Sequence, residues 1–203
     1  IILNTLGGNH PDLADALTNI GNINWSRKEF EQALKFHREA LDIRKRKYGD
    51  THPSIADSYH LMAVVYKLMG DLQLSLDYHR KSLNIRVQSL GEDHPDTAST
   101  FIGMADTYKQ MGKQEEAIEY YDKAAPIKIE KLGDNHPELI DVYKNMGLAY
   151  MGLKNYTPAV EFLDKSLDIA QEELGPHHST VEEILQAKDG IKYASAEWVS
   201  ARA

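Results

Sequence analysis

The sequence predicts an all-α fold, a right-handed α-solenoid of antiparallel helix hairpins. Three observations predict it. One six-residue phrase returns every 42 residues with no insertion or deletion, each interval holds two stretches of helical periodicity, and a column of small residues recurs on the first stretch. A fixed period of this size marks stacked units that bury their apolar faces against one another along a continuous core.

The phrase reads Leu6-Gly7-Gly8-Asn9-His10-Pro11, then Tyr48 to Pro53, Leu90 to Pro95 and Leu132 to Pro137, with a decayed copy from Leu174 to Ser179. Each glycine (Gly7, Gly49, Gly91, Gly133, Gly175) follows an apolar helix end and reads as a C-cap. Each proline (Pro11, Pro53, Pro95, Pro137) opens the next helix, where its missing N–H is harmless and its φ is pre-set. Asp12, Asp96 and Glu138 then place negative charge in the first turn, which suits the helix dipole. The phrase punctuates two helices at once.

In each unit the first helix carries large residues at the 3, 4, 7 spacing: Leu13, Leu17 and Ile20, then Ile55, Tyr59 and Met62, Phe101 and Met104, and Leu139, Tyr143 and Met146. Gly21, Ala63, Ala105 and Gly147 form the small column, where a neighbouring helix can approach closely. Tyr66, Tyr108 and Tyr150 read as packing residues. Breaks fall near Ser26-Arg27-Lys28, Met69-Gly70-Asp71, Met111-Gly112-Lys113 and Leu153-Lys154-Asn155. The second helix begins with Phe30, Ala33, Leu34 and Phe36, with Tyr78, Tyr120 and Phe162 at the aromatic register of the later copies. So short a connection makes each pair an antiparallel hairpin. Pro158 falls in a first turn and is tolerated, whereas Pro126 lies inside a second helix and predicts a kink or break over 122–130.

The resulting organisation is a preceding repeat's tail and linker at 1–11, repeats at 12–53, 54–95, 96–137 and 138–179, and a C-terminal capping helix with its tail at 180–203. Ile1 stands in register with Ile43, Ile85, Ile127 and Ile169, so the chain is expected to open inside an earlier unit of a longer array.

Composition narrows the function classes. Net charge is −8, against a nucleic-acid ligand, which requires a cationic face. There are no cysteines, which excludes thiolate metal sites and cysteine nucleophiles and fits a reducing, cytoplasmic compartment. No apolar run approaches the roughly 18 residues that would insert in a membrane. No phosphate-cradling glycine loop, His-Glu-x-x-His helix or nucleophile elbow occurs, so the chain reads as a non-enzyme without a cofactor. Five histidines share one phase (His10, His52, His94, His136, His178). A row with one histidine per unit cannot converge on a metal ion, so they read as caps or packing in the turns. The basic run Arg44-Lys45-Arg46-Lys47, with Arg38, reads as a solvated helix C-terminus opposing the dipole.

These columns resemble the tetratricopeptide repeat, whose usual period is about 34 residues. The longer period, the Leu-Gly-x-x-His-Pro linker and the helix end Ala40-Leu41-Asp42-Ile43-Arg44 are similar to the kinesin light chain type of that repeat, over residues 1 to about 190. The resemblance implies a concave groove, lined by first helices, that takes an extended peptide from a cargo adaptor or signalling protein. It also implies a basic groove and a cytoskeleton-associated setting. Asparagines two residues before the small column are expected to bond the peptide backbone; this register holds Asn19, Leu61, Gly103 and Asn145, so two of four match. The expected groove side chains are Asn19 and Asn22, then His60, Val64 and Lys67, then Ile102, Asp106 and Lys109, and finally Lys144, Asn145 and Leu148, with Asp15, Asp57 and Asp141 facing the same way. That set is mixed in charge and partly apolar. Two other roles compete with adaptor-like peptide binding: a scaffold that self-associates through its edges, including the tail around Trp198, and a regulatory repeat domain of a larger signalling protein.

Overall fold

The computed structural model describes residues 10–200, with side chains through 194; the first phrase copy up to Asn9 and the Trp198 side chain lie outside the described residues. Nine helices and no strand occur among the described residues. They are α1 (Pro11–Ser26), α2 (Phe30–Tyr48), α3 (Pro53–Met69), α4 (Leu72–Leu90), α5 (Pro95–Gln110), α6 (Gln114–Leu132), α7 (Leu139–Gly152), α8 (Tyr156–Leu174) and α9 (Ser179–Ser200). The chain divides into two compact units, one ending at Thr107 and the other starting at Tyr108.

The linker phrase works as a pair of caps. Nδ1 of His10, His52, His94, His136 and His178 accepts the backbone N–H two residues on, at 3.1 to 3.3 Å. At His10 and His52 the imidazole thus takes the place that Ser or Asp usually fills at an N-cap, and proline follows at N1. At the other side Gly49, Gly91, Gly133 and Gly175 hold φ between 80° and 93° with ψ between 158° and 176°. Only glycine populates that region readily. One copy departs from expectation: α7 starts at Leu139, two residues after Pro137, because residues 137–138 form a turn closed by Leu139 N–H to His136 O and Ile140 N–H to Pro137 O.

Within the first unit, Leu34 and Leu41 on α2 pack with Ile55, Met62 and Tyr66 on α3 and Ile85 on α4, so one core joins successive hairpins. Each large apolar side chain so buried contributes about 1.5–3 kcal/mol. The small column does what its size suggests. In the second unit a Cβ on Gly147 would lie 2.7 Å from Leu163 Cγ and 3.0 Å from the Ala159 carbonyl, so α7 and α8 touch only because none is present. Aromatic pairs recur on the repeat: Tyr66 stacks on Tyr78 at 5.2 Å, Tyr108 on Tyr120 at 5.5 Å and Tyr150 on Phe162 at 5.7 Å. Lys81, Lys123 and Lys165, also 42 residues apart, lie 4.6 to 5.4 Å from the second ring of each pair.

Of the kink or break expected at Pro126, the break does not occur: α6 runs without interruption from Gln114 to Leu132. Proline removes one N–H donor to the Asp122 carbonyl. The buried face that brackets it, Ala124, Ala125, Ile127 and Lys128, keeps the helix packed across that gap. The last helix, α9, reaches Ser200 and so takes in much of the tail expected after it. It buries Val181, Ile184 and Ile191 while turning Glu182, Glu183 and Asp189 outward.

The break between helices is made with or without glycine. Gly70 and Gly112 have φ of 87° and 77°, and the residues at the same register in the flanking units, Lys28 and Lys154, take φ of 62° and 58°. A lysine in this region is strained by about 1 kcal/mol. Lys28→Gly is therefore expected to raise stability by about 0.5–1 kcal/mol in urea titration, although glycine also gains unfolded-state entropy.

Candidate functional site

The expected groove residues fall on the first helices of both units, one face in each. In the first unit Asn19 is exposed on α1, while Asn22 is half-buried and its Oδ1 is enclosed without a hydrogen-bond partner. On α3, His60 and Val64 are half-buried, as is Ile102 on α5. Lys67 donates from Nζ to Asp106 Oδ2 at 2.9 Å, an ion pair linking α3 to α5.

Beneath this face lies a feature that the sequence pattern did not announce. His79, fully buried on α4, meets His60 edge-on with ring centres 5.2 Å apart, and neither of its nitrogens has a partner. Its ring presses on Gly103, where a Cβ would come within 2.3 Å of Cε1. Gly103, at a register where asparagine is expected, thus receives an imidazole. His37, 42 residues earlier, does the same with a different partner: position 61 is Leu, and the ring packs on Gly21 of its own hairpin, 2.6 Å from a hypothetical Cβ. Burial, assisted by the Arg44 charge, pulls His37 down to about 4. Burial and then Arg86 pull His60 to about 4, and burial with the neighbouring His60 takes His79 well below the ordinary histidine value. All three are neutral in the folded protein at neutral pH.

The basic run also needs correction. Arg44 is not solvated: only 7% exposed, it donates from Nη2 to Asp15 on α1 at 2.8 Å and from Nη1 to Ser58 on α3 at 2.7 Å. Arg86 repeats the arrangement, giving Nη2 to Asp57 at 2.7 Å and Nη1 to Thr100 at 2.8 Å and to the Asp96 carbonyl. Each guanidinium ties its own hairpin to the first helix of the next. Asp15 and Asp57 thus serve the array while keeping their outer sides in solvent, at 70% and 53% exposure. The signal was present as a 42-residue period in both charges, Arg44/Arg86/Lys128 and Asp15/Asp57. At the next register both partners change, and Lys128 instead reaches Glu138 at 2.7 Å.

In the second unit Lys109 donates to Asn145 Oδ1 at 2.6 Å, and Leu148 is half-buried nearby on α7. Lys144 pairs with Asp141 at 3.1 Å and with Glu183 on α9 at 3.0 Å. Burial works against its charge, but hydrogen bonds to Glu183 and Asp141 outweigh that and hold its pKa above the usual lysine value. Lys67 and Lys144, two of the cations in the expected groove set, are thus each matched by a carboxylate. Both faces present amides, matched ion pairs and half-buried apolar side chains, a chemistry suited to hydrogen bonding and shallow apolar contact with another chain.

A tetratricopeptide repeat model matches residues 1–46, 12–86, 54–130 and 115–172. No curated protein matches the sequence. Among solved structures, BtubC (BKLC) of P. vanneervenii is similar at a TM-score of 0.79 and 20% identity, covering 95% of this chain and 76% of that one. A Podosopora anserina protein described as kinesin light chain with nearly identical TPR-like repeats is similar at 0.77 and 20%, covering 95% and 92%. The apo form of RapI gives 0.75 and 20%, covering 93% and 66%. At that identity these likenesses concern the fold.

Proposed function

Because the chain belongs to the tetratricopeptide repeat family, whose members are generally protein-interaction modules, we propose that it is a non-catalytic adaptor whose first-helix faces bind a segment of a partner protein. The observation that carries this reading is the contrast between registers. Caps, small column and aromatic stacks recur from unit to unit, whereas the first-helix faces change at each step: Asn22, Val64, Asp106 and Leu148 share one register, and His60, Ile102 and Lys144 another. Side chains that packing does not dictate are free to serve recognition, and a rigid face leaves most of the ordering entropy to the partner segment.

The face is not a basic trough. With Lys67 and Lys144 in ion pairs, it favours segments of mixed or neutral character over strongly acidic ones. Recognition of cargo or signalling adaptors, as the kinesin light chain likeness suggests, and a cytoplasmic, cytoskeletal setting belong to the same proposal. Two variants test it: Asn19→Ala/Val64→Glu in the first unit and Asn145→Ala/Leu148→Glu in the second. On an array of 15-residue peptides of mixed composition, each is expected to lose at least tenfold in affinity for the peptides wild type retains, with helicity unchanged by circular dichroism. Retention of the same peptides at wild-type affinity by both variants would remove these faces as the binding surface.

A further inference from the structure

Two sites 84 residues apart share one register, and the chain fills one of them itself. In the first unit, Lys45 at the end of α2 places Nζ 5.6 Å from the centre of the Tyr59 ring and 3.1 Å from Asp50 Oδ1. Tyr59, and then Asp50, hold its pKa above the usual lysine value. Lys81 lies 5.7 Å from the same ring, so Tyr59 receives two ammonium groups, one of them paired with Asp50.

In the second unit the register reads Asp134 for Asp50, Tyr143 for Tyr59, Lys165 for Lys81, Asp168 for Asn84 and Ile129 for Lys45. One change takes away an ammonium and another adds a carboxylate. Here Ile129, Asp134, Tyr143, Lys165 and Asp168 line a cavity of about 290 Å³. Lys165 Nζ is 5.6 Å from the Tyr143 ring centre, as Lys81 is from Tyr59. The Tyr143 hydroxyl is pushed up in pKa, mainly by burial and then by the charge of Asp134, which lines the same cavity. Among the described residues, no cation forms an ion pair with Asp134 or Asp168.

We propose that this cavity receives an alkylammonium group, the side chain of a lysine on a partner protein, in the position Lys45 occupies in the first unit. The charge balance favours it. Across these registers the first site carries two ammonium groups and one carboxylate, whereas the cavity is lined by Lys165 and two carboxylates, so an incoming ammonium balances the charges that line it. The buried ring supplies the cation–π face, Ile129 and Ile169 flank the methylene arm, and the carboxylates take the ammonium. None of these residues belongs to the first-helix faces assigned above, so the site stands apart from them.

The test is an amide chemical-shift titration of the full chain with Nα-acetyl-lysine-N-methylamide, beside its uncharged norleucine analogue and butylammonium. Saturable shifts are expected at Asp134, Asn135 and Ile169 with the lysine probe, at least tenfold weaker with norleucine. Ile129→Lys imports the chain's own residue from the first unit and should abolish the response by self-filling. Asp134→Asn, a change at an exposed linker position, should weaken it at least tenfold. Equal responses to lysine and norleucine, no saturable response to lysine, or full binding by Ile129→Lys would overturn the proposal. Butylammonium binding more tightly than the lysine probe would assign the site to free amines and overturn the partner-lysine reading.

Discussion

Stability is expected to fall steeply as pH drops from about 6.5 towards 4, before most carboxylates are protonated. Three histidines carry this expectation. His37 and His60 are held near 4 and His79 well below the ordinary histidine value, against 6.5 in an open chain. In that window the unfolded chain binds protons that the folded chain refuses, so unfolding is favoured as pH falls; above 6.5 both states are neutral and the effect vanishes. Each such histidine contributes a slope of up to about 1.4 kcal/mol per pH unit. Burial sets the sign, and the charges facing them modify it: Arg86 and Lys67 oppose protonation of His60 and His79, Arg44 opposes that of His37, and Asp57 alone favours it for His60. Urea titrations between pH 7.5 and 4 measure the slope. His79→Leu, which imports the residue found at that register in Leu163, should remove one share of it. A flat profile through this window, or an undiminished slope in the variant, would refute the protonation account.

The second large effect concerns Arg86. Arg86→Ala is expected to lower stability by about 3 kcal/mol, near the lower limit for breaking a buried ion pair, because the half-exposed Asp57 recovers hydration. Arg86→Lys keeps the charge but cannot reach Asp57, Thr100 and the Asp96 carbonyl together, so an intermediate loss is expected. The loss should appear as weaker coupling between the α3–α4 hairpin and α5, visible as faster amide exchange at the start of α5 than in α1. Equal stability of Arg86→Ala and wild type would show that the guanidinium ties carry no part of the array's cohesion.

The hairpins, the caps and the small column were legible in the sequence because each follows from local chemistry repeated at a fixed period. A proline after a histidine, a glycine after an apolar helix end and an alanine on an apolar face each have one economical reading, and the repeats read it out several times. The guanidinium ties were less legible. Arg44 sits in a basic run at a helix end, where solvation is the simpler expectation, and only its pairing in space with Asp15 and Ser58 distinguishes it from Arg46 and Lys47. The buried histidines were illegible for a different reason. His37 and His79 share a register yet rest on different glycines, Gly21 and Gly103, and the choice depends on whether a neighbour such as Leu61 or Ala63 leaves room. Such packing decisions are settled among three helices, beyond what spacing along one can express. Pro126 shows the converse: a strong local rule gave way to burial on both sides of it.

The account holds that the caps that build the array and the first-helix side chains that bind a partner, Asn19 and Val64 among them, act separately. The most direct measurement is a paired comparison of peptide affinity and melting temperature for two variants, His52→Ala in the linker and Asn19→Ala/Val64→Glu on the first-helix face. The expected result is a crossed pattern. His52→Ala loses about 1 kcal/mol of stability through its cap but binds peptide as wild type does well below its melting point, while the face variant melts near wild type and loses binding. Binding lost in step with stability in both variants, or retained by the face variant, would contradict it.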